Sequence, residues 1–196
     1  LKSQVQFYDK IKTSDIQETL IKAAAELISE ETPNYQYVAS RLINYDLRKR
    51  VWGSSDPEHL SYRIHYNVSA GYYDPDIIKW YSDEEFEELN SYIVHDRDYN
   101  IAYAGMEQFR GKYLVKNRVT GKIYETPQMA MMLISMVLFG SYKKDKLKWV
   151  KEFYDAISTF QISLPNAKSD FLEFRTRQSI WMPSFRQLLE SKEGCL

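Results

Sequence analysis

At 196 residues, with 44% hydrophobic and 27% charged residues and a formal net charge of −1, the chain has the composition of an ordinary soluble globular protein. The charge balance gives no support to a general nucleic-acid or membrane-surface binder, and a single cysteine, Cys195, excludes a disulfide framework and a cysteine-rich zinc site. A chain of this length can bury a core without either, and its sixteen tyrosines and nine phenylalanines suit a helical core with wet edges.

In chain order, most start signals point to helices. Ser14 followed by Gln17 reads as a capping box ahead of "IQETLIKAAAELI", whose apolar residues recur at helical spacing. Thr32-Pro33 reads as a cap and first helical position for "YQYVASRLINYDLRKR", and the basic end of that segment suits the negative end of a helix dipole. Asp56-Pro57 repeats the device, with Gly71 as a stop, and Ser82 with Glu85 makes another capping box with an acidic first turn. "KYLVKNRVTGKIYE" reads as a small β-hairpin turning at Thr120-Gly121. Thr126-Pro127 then opens a Met-rich helix, "KDKLKWVKEFYDAIS" is amphipathic, and "FQISLP" reads as a terminal strand. The longest apolar run, Met129–Phe139, is about half the length that spans a bilayer, and no signal pattern follows Leu1, so a cytoplasmic protein is expected.

Chemistry is sparse on spacing alone. "HDRDYN", His95 to Asn100, gathers a histidine, two carboxylates and an arginine; it reads as acid–base or metal equipment, or as a loop leading into a helix. On the second reading, Asp96 or Asp98 caps backbone N–H groups and Arg97 pairs with a carboxylate. His59 and His65 lack a second pair of ligands, so no metal site is expected there. "LRKR", Leu47 to Arg50, reads as a phosphate contact or as a solvated helix end. No phosphate-binding glycine loop or nucleophile elbow is present.

Four stretches taken in order carry a resemblance: "FYDKIKTSDIQETLIKAAAELI", "YQYVASRL", "HDRDYNIAYAGMEQFRGKYLVKNRVTGKIYETPQ" and "FYDAISTFQISLP". From Val5 to Pro165 they closely resemble the N-terminal part of the large subunit of class Ia ribonucleotide reductase, nearest to its bacterial and T-even-phage-like branch. That family reduces ribonucleoside diphosphates by radical chemistry inside a ten-stranded α/β barrel, using a cysteine thiyl radical and a redox cysteine pair. A separate diiron-radical small subunit generates the radical. An N-terminal ATP-cone reads ATP against dATP, and a helical domain leads into the barrel. The resemblance therefore implies a mainly α chain without the catalytic barrel. Residues 1–52 would be the C-terminal part of the cone, 53–165 the helical domain with one small hairpin and a terminal strand, and 166–196 a divergent tail.

Residue by residue, Thr13 and Lys49 match the cone's nucleotide-contacting threonine and lysine, while Gln17 stands where the family often has histidine. The cone's first strands and its basic loop would lie upstream of Leu1, so the chain alone is expected to bind no ATP. Asn166 replaces a threonine that binds substrate phosphate, and Met182 occupies the place of the first redox cysteine after "TRQ", Thr176 to Gln178. A thioether cannot form the disulfide, so no catalytic residue is expected in the chain and it is expected to be inactive alone. The implied partners are a second large-subunit chain carrying the barrel, the small subunit and a large-subunit dimer, with no nucleic acid or membrane. ATP and dATP are the implied effectors, and the chain itself needs no cofactor. A non-catalytic helical scaffold derived from the same domain is the alternative. "SFRQLLESK", Ser184 to Lys192, reads as a short amphipathic helix covering apolar surface that the barrel would otherwise cover.

Overall fold

A computed structural model describes residues 10–117 and 119–162. Eight α-helices are present among them: α1 (Thr13–Glu26), α2 (Tyr35–Trp52), α3 (Leu60–Ser69), α4 (Asp76–Trp80), α5 (Asp83–Tyr92), α6 (Tyr103–Gln108), α7 (Pro127–Phe139) and α8 (Lys146–Ser158). A 3-10 helix, His95–Asn100, precedes α6, and a π-helical turn, Phe109–Tyr113, extends it. The mainly α expectation holds.

The Met-rich helix α7 is the centre. Every residue of it except Ile134 is buried, as expected of a helix that is apolar on all sides. Its first turn joins a core built with α1, α2 and α6, around Ile21, Ile43, Leu47, Met106, Met129 and Ala130. The rest of α7 packs with α3, α4, α5 and α8 around Leu60, Ile77, Phe86, Met132, Met136 and Tyr154. One helix thus serves two clusters. Gly140, just past its end, lets this helix approach Trp80: a Cβ there would stand 2.3 Å from the ring.

Tyrosine hydroxyls fasten this core. Tyr81 donates to the Met136 carbonyl at 2.6 Å, and Tyr154, fully buried, donates to Gln128 Oε1 at 2.7 Å. Each ring adds apolar area while its hydroxyl meets a partner, which is the use the composition predicts for so many tyrosines.

The local signals fared unevenly. The Ser82–Glu85 capping box forms in full, Pro127 opens α7, and Gly71 follows α3 in the left-handed region at φ 76°. The Ser14–Gln17 box does not form; α1 begins at Thr13, and the Gln17 amide instead donates to the Leu42 carbonyl of α2 at 3.0 Å. α2 begins at Tyr35, because Thr32-Pro33-Asn34 is taken up in a turn in which the Thr32 hydroxyl donates to the Leu27 carbonyl at 2.6 Å. α3 is capped by His59, whose Nδ1 accepts the Ser61 N–H, rather than by Asp56.

Both predicted β features are corrected. The hairpin is reduced to one isolated antiparallel bridge, Lys116 with Ile123, around a turn in which the Asn117 carboxamide accepts the N–H groups of Val119 and Thr120. No neighbouring strand extends it among the described residues. The expected terminal strand does not begin at Phe160. Thr159 to Gln161 close α8 instead, with Phe160 left-handed at φ 58°, its N–H on the Ile157 carbonyl and the Gln161 N–H on that of Ala156. This is a Schellman stop with phenylalanine where glycine is usual. Ser163 to Pro165 lie outside the described residues, as do Asn166, Met182 and Cys195.

Candidate functional site

Two places hold the residues that the sequence reading singled out: the free end of the α1–α2 pair, and the 3-10 turn between the clusters. Thr13 is the first residue of α1 and is exposed, where a helix N-terminus and the preceding Lys10 and Lys12 favour an anion. Lys49 is exposed in the last turn of α2, its Nζ 5.0 Å from the centre of the Tyr45 ring. Glu18 of α1 pairs with Arg50 of α2 at 3.6 Å and with Arg110 at 2.6 Å, which sets the Lys49 end of α2 beside the first half of α1. Arg50 also meets Asp46 at 2.7 Å, so its charge is already matched while Lys49 faces solvent.

"LRKR" therefore divides by helical position. Leu47 and Arg48 are buried, and Lys49 and Arg50 are exposed. Arg48 points inward, donating to the His95 carbonyl at 3.1 Å and to the Tyr99 hydroxyl at 3.2 Å, with its guanidinium 5.2 Å from the Tyr99 ring centre. Sequence reasoning missed this arginine. A run of three cations at a helix end resembles a solvated tip, and only the register with buried Ser40 and Asn44, eight and four residues earlier, would have found it.

The 3-10 turn "HDRDYN" is bonded to three helices. On α2, Arg48 holds it, and the Ser40 hydroxyl donates to the Ile101 carbonyl at 2.5 Å. On α8, Arg97 donates to Asp155 at 2.7 Å and to Ser158 at 2.6 Å, while the Val94 N–H reaches the Tyr154 hydroxyl at 3.0 Å. On α7, the Asp98 carboxylate accepts the Gln128 side-chain amide at 3.0 Å. Asp98 thus ties the turn to the first turn of α7, whose N-cap Thr126 makes no side-chain cap bond. Of the second reading of this motif, the pairing of Arg97 with a carboxylate is present, as Arg97–Asp155.

Burial sets the electrostatics here. Asp98 is pushed up to about 7, chiefly by desolvation, against the opposing effects of Gln128 and Arg48. His95 is pushed down to about 4 by burial and then by the Arg48 charge, so its imidazole is neutral in ordinary buffers. A second buried carboxylate, Glu125, is also raised to about 7 by burial; it accepts the Tyr73 hydroxyl and the Val115 N–H, each at 2.6 Å. Two titratable acids therefore flank the start of α7.

Among the described residues no group of three or more histidine, cysteine or acidic side chains could hold a metal. His59 bonds Glu87 at 2.7 Å, and His65 turns back on Ser61. No described helix is long and apolar enough to cross a membrane.

Residues 99–166 match the family described as ribonucleotide reductase, all-alpha domain. Over 179 residues, 91% of this chain, the sequence is 49% identical to a ribonucleoside-diphosphate reductase 1 subunit alpha of Salmonella typhimurium, covering 24% of that relative. The chain is thus similar to the ribonucleotide reductase all-alpha domain over 99–166 and, more widely, to one part of reductase large subunits. An Escherichia coli subunit alpha is 48% identical over the same extent, and that of Enterobacteria phage T4 is 50% identical over 157 residues, 80% of this chain and 21% of the relative. The chain spans about a quarter of the length of the curated relatives it matches. With 179 of 196 residues matched, the likeness to the Salmonella reductase subunit reaches into segment 166–196 whichever end it starts from. The family match begins at Tyr99, inside the 3-10 turn, and takes in α6 and the buried helices α7 and α8.

Proposed function

We propose that the chain works as the N-terminal, helical portion of a class Ia ribonucleoside-diphosphate reductase large subunit, in the reduction of ribonucleotides to deoxyribonucleotides for DNA synthesis in the cytoplasm. The observation that carries this reading is near-50% identity across nine-tenths of the chain to subunits named for that reaction. In this proposal a barrel-bearing second chain supplies the thiyl and redox cysteines, and a diiron small subunit supplies the radical. The chain is inactive alone. Mixing it with a candidate barrel chain and the small subunit is expected to give diphosphate reduction above either mixture lacking it; activity that does not depend on the added chain would refute the split assembly.

Residues 1–52 act in this proposal as the cone's C-terminal part, with Thr13 and Lys49 as contacts for ATP or dATP. Support comes from their exposure on adjoining helix ends, one a helix N-terminus and the other a lysine suited to phosphate. Titration of ATP into residues 1–196 is expected to give no heat. A version extended at its N-terminus with the relatives' upstream residues is expected to bind, and to lose about tenfold in affinity on Lys49→Ala, the scale of one charge-assisted contact. An unchanged affinity would remove Lys49 from the site.

A non-catalytic scaffold is the second reading, favoured by Met182 in the redox cysteine's place and by Asn166 in place of the phosphate-binding threonine. A barrel sequence with its cysteines encoded beside this gene would reject it.

A further inference from the structure

The buried polar atoms that lack a protein partner are not scattered. Among the described residues none lies on α1, α4, α5, α6 or α8; they gather on α2, α3, the 3-10 turn and the cap of α7. α2 supplies the Asn44 carboxamide, both of whose polar atoms are unpartnered, together with Arg48 Nε and Trp52 Nε1. The turn supplies His95 Nδ1 and Asp98 Oδ2, and the cap of α7 supplies Thr126 Oγ1. Unpartnered polar atoms in a folded interior are few and costly, so a cluster of them marks a place built for a further hydrogen-bonding group.

Register brings these side chains to one surface. Ser40, Asn44, Arg48 and Trp52 recur every four residues along α2, and such a row shares one face of a helix. Ser40 donates to the Ile101 carbonyl, Arg48 to the His95 carbonyl, and the Trp52 ring stands edge-on to the His95 ring with centroids 5.5 Å apart. Asn44, 1% exposed, lies in the middle of that row and so faces the same turn. The Arg48 charge acts on both His95 and Asp98, which places Asp98 opposite the row.

The chemistry of the set selects the ligand. Arg48 Nε, Trp52 Nε1 and the Asn44 amide nitrogen only donate, while Asn44 Oδ1 accepts, as does Asp98 Oδ2 when ionised. An anion would satisfy the donors but face Asp98, and a cation would face the buried Arg48. A neutral molecule that both donates and accepts suits both halves, and the smallest is water. We propose that this seam is a binding site for internal water, with Asn44 and Arg48 on α2 and Asp98 on the turn as its ligands. Internal waters typically make about three hydrogen bonds, so these side chains are enough to hold a molecule. The α1–α2 pair is then attached to the rest of the body across a hydrated contact as well as by direct bonds. The site does not depend on which reaction the chain serves.

The test is water–protein NOE and ROE spectroscopy on the full chain. The Asn44 side-chain amide and the Arg48 Nε–H are expected to show cross-peaks to water of opposite sign in the two experiments, as a long-lived bound molecule gives. The Met132 N–H, in the apolar core of α7, is expected to show none. Absence of the Asn44 and Arg48 peaks overturns the proposal, and this spectrum decides the matter even where a variant fails to fold. In Asn44→Leu, which keeps the Tyr99 and Thr126 hydroxyls, the Arg48 peak is expected to be lost. A peak that survives comes by exchange through a hydroxyl and refutes the site. Titration with sodium chloride is expected to leave the Arg48 Nε–H resonance where it is; a saturating shift shows an anion in place of water and overturns the assignment.

Discussion

Replacing Asp98 by asparagine should flatten the dependence of stability on pH. In the fold this carboxyl is wholly buried and titrates near 7, against about 3.8 when unfolded. Between those values the folded state holds a proton that the unfolded chain has released, so stability falls as pH rises from about 4 through about 7. The full difference corresponds to about 4 kcal/mol, and the part lying between pH 5 and pH 8 to about 3 kcal/mol. Arg48 on α2 lowers the value and Asp96 on the same turn raises it, while Gln128 on α7 bonds the ionised form; these opposing groups are already contained in the net shift. An asparagine there would keep the oxygen that accepts from Gln128. Its amide would replace Oδ2, which has no hydrogen-bond partner among the described residues. That substitution has its own cost of about 1–3 kcal/mol, but the cost is the same at every pH. The measurement is urea unfolding at pH 5, 6, 7 and 8 on both proteins. The variant should lose about 3 kcal/mol less than the parent between pH 5 and pH 8. Parallel curves would refute the reasoning and show that Arg48 keeps Asp98 ionised throughout.

Glu125→Gln should flatten the same curve over the same interval, because Glu125 is also raised to about 7 by burial; the one oxygen it keeps can accept from only one of Tyr73 and Val115, a loss that is the same at every pH. Gly140→Ala should destabilise by about 1–3 kcal/mol in thermal or urea unfolding, since the new methyl meets the Trp80 ring at 2.3 Å; an unchanged midpoint would mean that α4 shifts freely. Ser82→Ala removes half of the capping box on α5 and should cost about 1 kcal/mol by the same assay. Tyr81→Phe leaves the Met136 carbonyl without its hydroxyl donor and should cost about 1–2 kcal/mol, and a neutral result would show that α7 satisfies that carbonyl on its own.

What could be read from the sequence depended on whether the signal was local. Ser82 with Glu85 and Thr126-Pro127 sit at real helix starts because their side chains or ring act within one turn. Gln17, Thr32 and Asp56 carry equally good local signals and do something else, since a neighbouring helix or turn offers a competing partner, as the Leu42 carbonyl does for Gln17. The hairpin was legible as a turn; its strands were not sustained because no third strand extends the pair among the described residues. Thr13 and Lys49 are singled out only by resemblance, whereas Arg48, adjacent to Lys49, was hidden by polarity. The buried face of α2 includes Ser40, Asn44, Asp46 and Arg48, and a search for apolar periodicity assigns such a face to solvent.

That polar face explains how two clusters behave as one body. The α1–α2 pair has a core of its own and could open from the rest if only α6 and the first turn of α7 held it. The 3-10 turn closes that route. It takes Arg48 and Ser40 from α2, gives Asp98 to the start of α7, and sends Arg97 to Asp155 and Ser158 at the end of α8. Moving α2 away would leave the His95 and Ile101 carbonyls, both on or beside the turn, without their donors, and would expose the buried Arg48 to new solvation. Arg97 also grips the last turn of α8, so the same displacement would strain its bonds to Asp155 and Ser158. Shared packing in α7 and shared hydrogen bonds in the turn therefore act in the same direction, making separate opening of the α1–α2 pair more costly than the apolar contacts alone would make it.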